Sequence, residues 1–136
     1  MPTPPERLHQ DGHLYYYGHN ADDYLTDVIA KRGVQFIDRA AQADRPFFLE
    51  LATFAPHRPY TPAPRNANDF PGLTVPRPPS FNVKETHPPR WLSRRPSLSG
   101  AQIANIDHVF RRRAQSVQAV GNMIRNIEHT LAVHGL

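Results

Sequence analysis

Residues 46–65 read PFFLELATFAPHRPYTPAPR. The first nine have strand length and strand composition, and a helical pattern leads into them. Phe47, Leu49, Leu51 and Thr53 alternate with Phe48, Glu50, Ala52 and Phe54. Both sets are largely apolar, which predicts a strand over 46–54 buried on both faces, as in a parallel sheet. Glu50 is the exception and needs a partner or a sheet edge. The chain then breaks at Ala55-Pro56 and presents His57 and Arg58 just past the strand end. In open α/β sheets ligands lie beyond the carboxyl ends of strands, so a polar group there is placed for work. The plain alternative is a histidine hydrogen-bonded within a turn.

Upstream, residues 20–43 read as a helix. Leu25, Val28, Ile29, Phe36, Ile37 and Ala40 recur at helical spacing. Asn20 stands as its cap, and Asp22 and Asp23 suit the positive end of the helix dipole. Gly33 sits inside the pattern and weakens it. Downstream, residues 55–98 form a long proline-rich loop holding eleven of the fifteen prolines. Phe70, Phe81 and Trp91 offer it anchors, so it reads as an ordered excursion. Residues 99–134 form a long helix that opens on Ser99 and Gln102, a capping-box pair, and closes at Gly135. Residues 1–19 are polar and irregular, with Tyr15-Tyr16-Tyr17 shaped like a short edge strand. Helix, tight connection and buried strand make half of a βαβ repeat and place the chain in the α/β class.

Composition narrows the chemistry. The chain has 136 residues, 39% of them hydrophobic, which is one domain at most and a thin supply of core. With no cysteine, disulfides, thiolate metal sites and cysteine nucleophiles are excluded within it. Sixteen Lys and Arg oppose twelve Asp and Glu. The arginines cluster only at 94–95 and 111–113, which favours solvated helix and loop charges over a nucleic-acid surface. No signal peptide or membrane-spanning run stands out, and the compartment is left open. His9 with His13, and His129 with His134, lack the ligand pattern of a zinc site. No G-x-S-x-G elbow, P-loop or dinucleotide glycine motif is present.

Three stretches together carry a resemblance: YLTDVIAKRGVQFID at 24–38, the opening run at 46–65, and IDHVFRRRAQSVQAVGNMIRNIEHTLAVHGL at 106–136. They resemble the sulfatases, in the branch of N-acetylglucosamine-6-sulfatases and extracellular heparan sulfatases, over roughly residues 22–136. The resemblance implies a middle part of an alkaline-phosphatase-like α/β sandwich, here one buried strand, two helices and the long loop. It implies sulfuric ester hydrolysis, with His57 as the active-site histidine that contacts the sulfate and Arg58 at the cleft rim. It further implies a formylglycine nucleophile from a C/S-x-P-x-R motif and a calcium ion held by aspartates and a D-N-G motif. None of those motifs occurs in the chain. A sulfated carbohydrate or other sulfate ester is the implied substrate, and a companion chain the implied means of completing the domain. The expectation is a polypeptide inactive alone, with two alternatives: a binder of sulfated glycans, or a piece with no function of its own. Where the family commonly shows VDDMV, this chain has Val120-Gly121-Asn122-Met123-Ile124.

Overall fold

The computed structural model describes residues 6–10, 12–18 and 20–136. Strands β1 (Glu6–Gln10) and β2 (His13–Tyr17) form an antiparallel hairpin in which Leu8 pairs with Tyr15. Its turn includes Gly12 at φ +79°, a backbone conformation that glycine adopts without steric cost. A 3-10 turn at Ala21–Asp23 leads into helix α1 (Leu25–Gln42). The extended segment 46–54 and the long loop follow, the loop interrupted by the one-turn helix α2 (Arg90–Ser93). Helix α3 (Gly100–Val133) ends the described chain, followed by a short turn.

Local chemistry accounts for the helix ends. Ser99 Oγ accepts from Gln102 N, and Gln102 Oε1 accepts from Ser99 N, so two otherwise unpaired amides are satisfied reciprocally. At the other end Gly135 adopts φ +70°, and Leu136 N donates back to Leu131 O. Helix α1 begins at Leu25, five residues after the expected cap. Asp23 is the reason: its carboxylate accepts from Gly18 N and Asn20 Nδ2, and this holds residues 20–23 in the tight turn.

Helices α1 and α3 run side by side in the same direction. Gly33 lies against Ile127, and Asp38 Oδ1 lies 2.9 Å from His134 Nε2 near both C-terminal ends. The segment 46–54 runs back along α1, with Phe47 meeting Phe36 edge-on at 5.6 Å and Leu51 resting on Gly33. A Cβ at Gly33 would stand 2.8 Å from Leu51 Cδ1 and 3.0 Å from Ile127 Cδ1. The glycine that weakens the helical pattern is therefore the point where three elements meet. Val28, Ala30 and Ile37 of α1, Ala119 and Met123 of α3, and Ala63 of the loop are the buried apolar residues among those described.

Two expectations are corrected. The stretch expected to be irregular holds the β1–β2 hairpin, with Tyr15, Tyr16 and Tyr17 in β2, and it is tied to α1 by Arg32, which lies over the Tyr15 ring and reaches the Tyr17 hydroxyl. Segment 46–54 is extended but joins no sheet, and the two-stranded antiparallel hairpin is the only sheet among the described residues. Residues 47, 49, 51 and 53 are half-buried on the helices, while 48, 50, 52 and 54 are exposed. Phe48 is 86% exposed. Alternation is set locally by the pleat, but burial of the second face requires a further packing layer, which the described residues do not supply.

Polar clamps hold the long loop in place. Arg65 grips Asp27 bidentately at 2.6 and 2.8 Å. Arg77 holds Asp107 through one nitrogen, Nη2 donating to both carboxylate oxygens at 2.6 and 2.7 Å. Asn82 pairs with both main-chain groups of Leu98, and Gln115 donates to Ala67 O and Asp69 O. Proline-rich backbone has few amides to donate, so side chains supply the cross-links that a ladder supplies elsewhere.

Candidate functional site

His57 stands where segment 46–54 ends, in a compact turn. His57 N donates to Phe54 O at 2.8 Å, and Tyr60 N donates to His57 O at 2.9 Å. The Ala55-Pro56 and Arg58-Pro59 peptide bonds on either side are cis, and Tyr60 has φ +61°. Beyond the turn, Tyr24 Oη donates to Thr61 O, Ala63 is fully buried, and Arg65 closes on Asp27. The turn is thus pinned on its far side to the start of α1.

The imidazole is exposed and oriented by two contacts. Its Nδ1 lies 3.0 Å from Arg58 O, and its ring packs on Phe54 at 5.0 Å. A carbonyl can only accept, so Nδ1 carries the proton and donates. Nε2 is left without a partner among the described residues, an acceptor in the neutral ring and a donor in the imidazolium. That arrangement suits a contact to an anionic oxygen or a proton delivered to a leaving group. The Arg58 side chain is exposed and has no partner among the described residues. Adjacent Pro56 helps line a hollow of about 470 Å³ with Phe70, Leu73, Phe110, Arg113 and Val117.

His57 and Arg58 stand side by side in the turn, and among the described residues no side-chain hydrogen bond joins a third group to them. No three His, Cys, Asp or Glu side chains among the described residues converge where a cation would sit. The donor set among the described residues does not fit a calcium ion. His129 is exposed, and His134 is engaged with Asp38. The contacts from Tyr24 and Arg65 that position the turn join residues 37 and 38 apart, a separation at which no spacing rule signals a pair.

Comparisons with known proteins agree on one family name. The chain is 38% identical over 119 residues to sulfatase ppz1 of Metarhizium majus, covering 82% of this chain and 28% of that protein. It is 34% identical over 115 residues to N-acetylglucosamine-6-sulfatase of Bos taurus, covering 83% of this chain and 20% of that one. Against an arylsulfatase of Volvox carteri it is 27% identical over 135 residues, covering 83% and 21%. The chain therefore spans between a fifth and about three-tenths of the length of these relatives. No family model matches it. No solved structure matches it either.

Proposed function

Over most of its length the chain belongs to the sulfatase family, and from that premise we propose that it is part of a sulfuric ester hydrolase, inactive by itself, in which His57 contacts the sulfate group. The observation that carries this reading is the oriented imidazole at the end of segment 46–54, with Nδ1 engaged by Arg58 O and Nε2 without a partner among the described residues. Ester cleavage needs a nucleophile, positive charge on the sulfate oxygens and an acid for the leaving alcohol. His57 supplies one of these. Arg58 supplies charge at the rim. The nucleophile and calcium ligands that the resemblance implies have no counterpart in the sequence.

The open segment supports a companion polypeptide as partner. Among the described residues no main-chain hydrogen bond reaches residues 46–53. Unpaired strand backbone is a template for pairing with another strand. An alkaline-phosphatase-like sheet completed by that partner is the fold this reading calls for, with a sulfated carbohydrate or other sulfate ester as substrate. No helix of the described residues is long and apolar enough to cross a membrane.

The test has two arms. The purified chain with calcium and a fluorogenic aryl sulfate is expected to give no turnover; turnover that disappears in His57→Ala would overturn its inactivity. Residues 46–65 grafted into the Bos taurus N-acetylglucosamine-6-sulfatase are expected to preserve activity, and His57→Ala in the graft to lower it roughly a hundredfold or more. A graft indifferent to that substitution would remove His57 from the chemistry.

A further inference from the structure

A second polar surface lies away from His57. On α1, Gly33 and Phe36 face segment 46–54. Asp27, Lys31 and Val34 lie well around the helix from them, given 3.6 residues per turn. There they form, with α3 and Arg65, a groove of about 560 Å³ between the two parallel helices. Its polar lining is Asp27, Lys31, Arg65, Asn122, Arg125 and Asn126, over a floor that includes Ala30. A strand added beside segment 46–54 would leave this side of the helix pair open.

The charges in the groove do not cancel. Asp27 is its only carboxylate, and Arg65 neutralises it through both oxygens. That contact holds the Arg65 guanidinium above its ordinary pKa, the hydrogen bond to Asp27 being the main cause. Lys31 has no partner among the described residues, and Arg125 is bonded only to the neutral amide of Asn122. Two cations remain uncompensated, with two carboxamides between which a ligand's hydroxyl or ester oxygen finds both donors and acceptors.

We infer that this groove binds a tetrahedral oxyanion ester, a sulfate or phosphate group, through Lys31 and Arg125, with Asn122 and Asn126 beside them. The reading of the chain as sulfatase-related enters only in the choice of a sulfated sugar among the probes. The site and its failure are independent of His57.

Amide chemical-shift titration of the full chain tests it with N-acetylglucosamine 6-sulfate, its 6-phosphate and the unmodified sugar. Binding of either ester is expected to move the amides of Lys31, Asn122, Arg125 and Asn126, with the unmodified sugar moving none. Response to the sulfate alone, the phosphate alone or both identifies the source of the oxyanion. Lys31→Ala with Arg125→Ala is expected to weaken binding roughly tenfold, since each exposed ion pair is a modest contribution. Asn122→Asp, nearly isosteric, is expected to weaken it by adding a compensating charge, and His57→Ala to leave it unchanged. A melt of each variant within a few degrees of the parent shows that the fold is intact. Absence of shifts with both esters overturns the proposal, as does binding insensitive to the double substitution and to Asn122→Asp. Shifts centred on His57 would also overturn it while leaving the reading of His57 standing.

Discussion

Helix α3 and segment 46–54 are both regular stretches of backbone, and they satisfy it in opposite ways. The helix bonds internally and closes its ends with Ser99, Gln102 and Gly135. The segment has the pleat of a strand and no ladder. One element carries its own hydrogen-bond partners; the other must be given them. Stability contributed by the first follows from sequence nearby, while stability contributed by the second depends on what else is folded with it.

The widest separation should appear in amide hydrogen exchange. Amides in the middle of α3 are expected to exchange at least about a hundredfold more slowly than those of residues 47–53, because opening a capped, packed helix costs free energy that an unpaired segment does not require. Equal protection of both would break the contrast. It would mean that the segment finds partners in solution, and size-exclusion chromatography would then separate self-pairing from internal pairing.

A smaller effect tests how tightly the segment is seated. Gly33→Leu is expected to destabilise the chain by about 1–3 kcal/mol in thermal unfolding, since the added side chain must displace Leu51 and Ile127. Gly33→Ala should come out near neutral. Its single methyl meets only the tips of two flexible side chains, and the helix gains about 1 kcal/mol in propensity. A neutral Gly33→Leu would mean that Leu51 does not rest on α1.

The mildest effect concerns the loop. Arg77, and next the amide of Val75, hold Asp107 below its ordinary carboxylate pKa. A carboxyl with a depressed folded pKa adds stability above its unfolded value, about pH 4, and loses it as pH falls through the lower folded value. Arg77→Met should therefore melt below the parent at neutral pH, and the two curves should converge as pH drops under about 4. A gap that persists in acid would assign the loss to packing of Arg77 over the Phe81 ring instead.

The contrast also explains how much the sequence reveals. Both caps of α3 are legible because each uses residues within a few positions of one another, and the alternation along 46–54 is legible because the pleat has period two. The start of α1 is misplaced because Asp23 serves the turn at 20–23 rather than the helix dipole. Gly33 looks like a flaw in a helix because Leu51 and Ile127, which it admits, lie 18 and 94 residues away. At the site, the position of His57 past a strand-like run is visible in the chain. The clamps behind it are not, since Tyr24 and Asp27 carry no mark of the loop residues they hold.

The parallel course of α1 and α3 sets a length for the chain between them. An α1 of 18 residues is about 27 Å long, and nine residues of extended chain reach about 30 Å. Segment 46–54 is thus long enough, when extended, to run back along α1. Removing one residue from it would pull His57 about 3 Å back along α1 and turn every later side chain to the other face. The looped chain between Arg65 and Ser99 has length to spare. Evolution can lengthen that loop freely, while the reach of His57 is set by the length of the segment that leads to it.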